Sequence, residues 1–256
     1  MPKPLRWYRD LADTRTRRAE GLFVVEGPRA VRQVLGSSPE AVAELLVAGD
    51  TEFGCGASVA ARTVTRRQFD SVCSTVTPQG VLAVVALPEG VYGAKLPDCT
   101  QGDVLVCEDI QDPGNVGTLI RTAAAFGFEG AVLSDRCADP FGPKAVQATA
   151  GSVLSVWVRR TAQYLDLVES LRLRGHLLVA ADAHGGGGDG PPESDTPVAL
   201  ALGSEGSGLS ERLRALADRV LTVPVDSARA ESLNVAAAGA VCMYLAASRR
   251  HRAGEA

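Results

Sequence analysis

Residues 198–209 read VALALGSEGSGL, a short apolar burst ending in a glycine-rich turn ahead of the helix-like stretch Ser210–Asp218. A second burst, Arg219–Val225 (RVLTVPV), passes through a polar turn into Glu231–Ala247, ESLNVAAAGAVCMYLAA. Each burst has the length and apolar content of a buried strand, and each leads through a loop into a helix. Ser232 is placed to cap the second helix, whose alanine-rich body combines strong helix propensity with side chains small enough for close backbone packing. Two neighbouring strand ends that open in this way wall one pocket largely with backbone.

The same alternation runs back through the chain. Strands are expected at Gly102–Cys107, Gly130–Ser134, Val153–Val158 and Leu177–Ala181, and helices at Asn115–Phe126, Lys144–Ala150 and Thr161–Arg174. That pattern predicts an α/β fold with a largely parallel sheet covered on both faces. Ahead of it lies a smaller α/β unit over residues 1–87. It contains a helix at Leu5–Ala19, a strand at Gly21–Gly27, a helix from Pro28 to about Leu35, strands at Ala43–Ala48 and Arg62–Thr65, a helix at Arg66–Val72 and a strand at Thr77–Leu87. Residues 88–101, rich in Pro, Gly and polar side chains, read as a linker to a second domain at 102–256. The stretch His184–Asp195, HGGGGDGPPESD, reads as a mobile surface loop, because no strand and helix frame its glycines and no Lys or Thr follows them.

Charge is informative only by position. The chain of 256 residues carries a formal charge of −4, yet residues 1–35 hold eight basic side chains against four acidic ones and the remainder is −8. Such an arm fits either a phosphate-binding face or a solvated helix laced with ion pairs. Arg6, Arg9, Arg15, Arg17, Arg18 and Arg29 are its candidate phosphate contacts. No apolar run has membrane-spanning length and the N-terminus lacks a secretory segment, so a cytoplasmic protein without membrane attachment is expected. Cys55, Cys73, Cys99, Cys107, Cys137 and Cys242 are irregularly spaced, and His176, His184 and His251 form no paired motif. Buried free thiols are expected, and no metal.

In DIQDPGNVGTLIRTAAAFG (109–127), Asp112-Pro113-Gly114 forms a turn and Asn115 is placed to cap a helix that carries Arg121. Six residues at 100° set the two on roughly adjacent faces at one end of the helix, which fits either a pair reaching a substrate across its N-terminus or a capping Asn with an unrelated surface Arg. The glycines at 203, 206 and 208 read as main chain left bare for a ligand gripped by backbone. Their spacing, G-x-x-G-x-G, matches neither a dinucleotide fingerprint nor a Walker loop.

Taken together, DPGNVGTLIRTAAAFGF, LGSEGSGLS and VPV leading to ESLNVAAAGAV resemble, in order and spacing, the three motifs of the SpoU/TrmH family of SPOUT methyltransferases. RRAEGLFVVEGPRAV (17–31) and TPQGVLAVV (77–85) resemble the substrate-binding domain often fused to it, a fold akin to a ribosomal protein. The resemblance implies an S-adenosylmethionine-dependent RNA 2′-O-ribose methyltransferase, with ribosomal RNA preferred. Transfer RNA is an alternative substrate, and a non-catalytic RNA-binding module an alternative role. It further implies a deep trefoil knot in the C-terminal domain and a homodimer whose subunits complete each other's sites. The implied cofactor contacts are Leu202, Gly203, Ser204, Glu205, Gly206, Val223, Pro224, Ser232, Leu233 and Asn234. Asn115, Arg121, Glu205, Ser232 and Asn234 are implied around the reacting atoms, with Arg121 as base or as substrate holder. Gln147 and Thr149 depart from the family pattern, where an arginine and a serine are common.

Overall fold

The computed structural model describes residues 3–54, 59–182, 195–226, 228–229 and 232–253. Residues 184–194 of the glycine-rich stretch, Cys55, His184 and His251's side chain lie outside the described parts. The chain divides into two compact units, one of Met1–Glu89 with Asp139–Ser155, the other of Gly90–Ala138 with Val156–Ala256.

The first unit opens with two short helices, α1 (Leu5–Asp10) and α2 (Thr14–Glu20), in place of the one expected. Asp13 makes the break: its carboxylate accepts the N–H groups of Arg15 (2.9 Å) and Thr16 (3.1 Å), so a new helix begins there. There follow β1 (Leu22–Glu26), α3 (Pro28–Ser37), β2 (Val42–Ala48), β3 (Ala61–Val64), α4 (Arg66–Asp70) and β4 (Val81–Ala86). The sheet runs β1-β4-β2-β3, with β4 antiparallel to both neighbours and β2 parallel to β3. Tyr8, Leu11, Leu46, Phe69, Leu82 and Val84 pack as the core between this sheet and α1 and α4.

Arg17, one of the six arginines expected to face RNA, is a core residue, 1% exposed. Its guanidinium donates to the carbonyls of Leu11 (3.1 Å) and Ala12 (2.6 Å), to Thr14 Oγ1 (2.9 Å) and to Asp139 (2.5 Å). A guanidinium buried on carbonyls and a carboxylate serves folding, and the expectation for Arg17 is corrected accordingly. Its partner lies in the segment 139–155, which joins this unit and carries α6 (Pro143–Thr149). Thr149 is buried with its hydroxyl donated to Val146 O (2.6 Å), whereas Gln147 is exposed.

The second unit holds a six-stranded sheet, every neighbouring pair parallel. Its strands are β5 (Val104–Cys107), β6 (Gly130–Ser134), β7 (Trp157–Thr161), β8 (Leu177–Ala181), β9 (Val198–Leu202) and β10 (Arg219–Leu221), in the order β10-β8-β9-β5-β6-β7. Strand β7 starts four residues later than expected, because Ala150 and Gly151 both take left-handed backbone (φ 51° and 96°) and the chain turns through Ser152–Leu154 first. One face of the sheet, with Val104, Val106, Ala199 and Ala201, packs on α7 (Tyr164–Leu173) and α8 (Glu211–Leu216). The other meets α5 (Pro113–Ala125) and α9 (Val235–Ala253), which also pack on each other. Strands covered on both sides read as unbroken apolar runs, as VALAL does, with all five residues buried.

Among the described residues no helix is long and apolar enough to cross a membrane. Cys107, Cys137 and Cys242 are buried free thiols as expected, but Cys99 is exposed and Cys73 half-buried.

Candidate active site

Strands β5 and β9 are neighbours at the centre of the sheet, and the chain leaves their carboxyl ends in opposite directions, β5 toward β6 and β9 toward β10. A crevice at such a switch point is where open α/β sheets hold ligands.

Glu108, the residue after β5, fastens the β9 loop at both ends. Its N–H donates to Leu202 O (2.9 Å), and its buried carboxylate accepts the N–H (2.6 Å) and hydroxyl (2.7 Å) of Ser210 together with the hydroxyl of Tyr164. Burial first, and the Glu108 carboxylate second, push the Tyr164 phenol well above its usual range, so it stays a neutral donor. Asp109 follows with left-handed backbone, φ 57°, which only a few per cent of non-glycine residues adopt. Ser134 locks it, accepting the Asp109 N–H (2.9 Å) and donating to its carboxylate (2.7 Å).

The loop after β9 is a tight turn in which Gly208 N–H donates to Ser204 O (2.9 Å) and the Ser204 and Ser207 hydroxyls share a hydrogen bond (2.8 Å). Gly203 is required by the loop itself: a Cβ there would lie 2.1 Å from the Gly208 carbonyl carbon. Gly208 adopts φ +65°, and Gly206 has open space around it. The reading of these glycines as main chain bared for a ligand is therefore corrected at 203 and 208, where closure and conformation dictate glycine.

Two caps also differ from expectation. Asp112, not Asn115, caps α5, accepting the Asn115 N–H (2.8 Å). Asn234, not Ser232, caps α9, its Oδ1 accepting from Ala236 N (2.9 Å) and Ala237 N (3.3 Å). Freed from capping, the Asn115 side chain joins the other two loops. Its Nδ2 donates to Glu205 Oε1, and its Oδ1 accepts from Asn234 Nδ2 (3.1 Å). The polarity of this chain leaves no choice. Asn234 Oδ1 must accept from helix N–H groups, so its Nδ2 donates to Asn115, whose own Nδ2 then faces an acceptor-only carboxylate. Asn115 from the first turn of α5, Glu205 from the β9 loop and Asn234 from the cap of α9 thus form one hydrogen-bonded row.

Beside that row is a cavity of ≈ 440 Å³. Of the residues expected to hold the cofactor, Leu202, Gly203, Ser204, Glu205, Gly206, Val223, Ser232 and Leu233 line it. Pro224, Asn234 and Asn115 do not, and Arg121 stands exposed on α5 with no hydrogen bond or ion pair among the described residues. The cavity also takes in residues that sequence reasoning missed: Asp182, Arg214, and the α9 face of Val235, Ala238 and Cys242. Asp182 directly follows β8, so its position at the sheet's carboxyl edge was readable; nothing local marks Arg214. Burial pushes the Cys242 thiol up to about 11, leaving it an inert apolar wall. Among the described residues no group of His, Cys, Asp and Glu is gathered as metal ligands.

The pattern of SpoU rRNA Methylase matches residues 103–244, the whole of this site, and that of the MRM3-like substrate binding domain matches residues 5–83. The chain belongs to the SpoU rRNA methylase family. A relative in Bacillus subtilis (strain 168), 23S rRNA (guanosine(2553)-2′-O)-methyltransferase RlmP, is 34% identical over 247 residues, covering 93% of each chain. The 23S rRNA (uridine(2479)-2′-O)-methyltransferase of Streptomyces viridochromogenes is 30% identical, covering 95% of this chain and 88% of its own. The SpoU methyltransferase AviRb from Streptomyces viridochromogenes, solved with the cofactor AdoMet, superposes with a TM-score of 0.81 at 26% identity over 98% of this chain and 99% of that one. In this SpoU-family chain the segment 139–155 falls inside the span of the methylase match, although its contacts are with the N-terminal unit.

Proposed function

We propose that this protein transfers a methyl group from S-adenosylmethionine to a ribose 2′-hydroxyl of ribosomal RNA, in the cytoplasm and as a homodimer. The observation that carries the reading is the row Glu205–Asn115–Asn234, which ties the three family motifs together beside a cavity lined by the residues expected to hold the cofactor. The family resemblance and the relatives acting on 23S rRNA supply the substrate class.

The cavity suits the cofactor. Leu221, Val223, Val225 and Ala238 offer an apolar wall for a nucleoside, and the carboxylates of Glu205 and Asp182 offer partners for positive charge. When bound, S-adenosylmethionine supplies a methyl group on a sulfonium, an electrophile with its own leaving group. The protein's part is to place the ribose hydroxyl and help its proton depart. Asn115 is held rigid by Glu205 and Asn234, so it presents a fixed amide to the ribose. A guanidinium is a permanent cation, and Arg121 is therefore assigned to holding the substrate hydroxyl or its phosphate.

Exposed and without a partner among the described residues, Arg121 fits a site completed across a dimer, and the family's trefoil knot belongs to the same proposal. Exposed Arg6, Arg9, Arg15, Arg18 and Arg29 on the N-terminal unit supply the basic face for RNA, in keeping with the match there to a substrate-binding domain.

Labelled S-adenosylmethionine incubated with total RNA from a strain lacking the protein tests this. Label is expected in ribosomal RNA as alkali-resistant 2′-O-methylribose. Label confined to transfer RNA, or cofactor binding without transfer, overturns the proposal. Arg121→Ala is expected to lower transfer by ~10²-fold or more with cofactor affinity essentially unchanged; a matching loss of affinity would mean Arg121 holds the cofactor instead.

A further inference from the structure

Among the described residues lining the cavity, three carry charged side chains: Asp182, Glu205 and Arg214. Glu205 is engaged by Asn115, which leaves Asp182 and Arg214, paired at 3.0 Å between the end of β8 and α8. S-adenosylmethionine at neutral pH carries two positive centres, a sulfonium and an ammonium, and one negative, a carboxylate. Two carboxylates and one guanidinium in the wall are the complement of that set in sign and number. A carboxylate ligand group set against Asp182 or Glu205 would be repelled, and Arg214 is the single cationic side chain among the described lining residues.

We propose that Arg214 receives the carboxylate at the amino-acid end of the cofactor. The inference rests on the cofactor reading above and extends it to a recognition residue. Arg214 is held in place before any ligand arrives: Nη1 pairs with Asp182 and Nε donates to Leu209 O (3.1 Å). Ordering the side chain has thus been met in folding, and little entropy remains to be lost on binding. A guanidinium has five N–H groups, so donors remain on a side chain that is still 46% exposed. Gly208 leaves room for this arrangement, since a Cβ there would come within 3.1 Å of Arg214 Nη2. Asp182 keeps the guanidinium oriented and holds the local charge low enough that the cavity does not collect anions at large.

The rival anchor is the backbone N–H groups of the 204–207 turn, and two ligands separate them. Affinities of S-adenosylmethionine and of its decarboxylated analogue are measured by calorimetry for the wild type, Arg214→Gln and Arg214→Lys. The wild type is expected to prefer the complete cofactor by about 10- to 100-fold, the range of a charge-assisted hydrogen bond. In Arg214→Gln that preference is expected to vanish through weaker binding of S-adenosylmethionine, with the analogue bound as before; Arg214→Lys, keeping charge without the fork, should fall between. An equal loss for both ligands would show Arg214 to be only a brace, and an unchanged preference would assign the carboxylate to the backbone; either overturns the proposal. A wild-type protein that binds neither ligand refutes the cofactor reading itself, an outcome distinct from both.

Discussion

Arg15 and Arg17 stand two positions apart on α2, the first exposed and the second 1% exposed against the Asp139 carboxylate. Removing the buried one takes the Arg17 ion pair from that carboxylate, itself largely buried. Arg17→Ala is expected to cost ~3–5 kcal/mol, read as a lowered urea midpoint. Arg15→Ala should stay within ~0.5 kcal/mol of wild type while weakening RNA binding and flattening its salt dependence. Equal stability of the two variants would contradict this assignment. A count of charges along residues 1–35 sees both arginines alike, because Asp139 lies 122 residues away and only the fold brings it to Arg17. The same limit separates Glu205 from Arg214. Glu205 sits within a recognisable turn, whereas Arg214 is one of two arginines on a short helix and acquires meaning only from the cavity beside it.

The elements followed from apolar periodicity, and their ends did not. Asn115 and Ser232 were each a reasonable cap, yet Asp112 and Asn234 hold those places. Any of Ser, Asp or Asn can cap a helix, so where several stand close together the choice falls to how the helix docks. For α9 that docking depends on Gly239, where a Cβ would lie 2.4 Å from Leu119 Cδ2 and 2.7 Å from Leu202 Cδ1. Replacing a helical glycine gains up to ~1 kcal/mol of propensity, but overpacking a filled core costs ~1–3 kcal/mol or more for a large side chain. Gly239→Leu is therefore expected to lower the urea midpoint and, by moving Asn234 off Asn115, to reduce cofactor affinity as well. A variant as stable as the wild type would mean that α9 docks with slack there.

At the scale of the molecule, Leu233, Val241 and Tyr244 are large apolar residues left exposed, the last two three positions apart on α9, and Tyr244 rests against Phe126 at 6.0 Å between ring centroids. Placing an aspartate in that patch should split the proposed homodimer: Tyr244→Asp is expected to sediment as a monomer and to lose transfer, with Arg121 no longer presented to a second subunit. A wild-type protein that sediments as a monomer while still methylating RNA would refute the shared site. The amino-acid sequence by itself determined the α/β alternation, the parallel sheet and the three turns that carry the family's motifs, because burial on two faces and glycine-bearing turns leave local marks in residue type and spacing. Tertiary structure alone decided which polar groups meet: Asn115 with Glu205 and Asn234, Arg17 with Asp139, Arg214 with Asp182. A hydrogen bond or an ion pair depends on distance in space, and residues 90 or 122 positions apart carry no local trace of the partner that folding will bring.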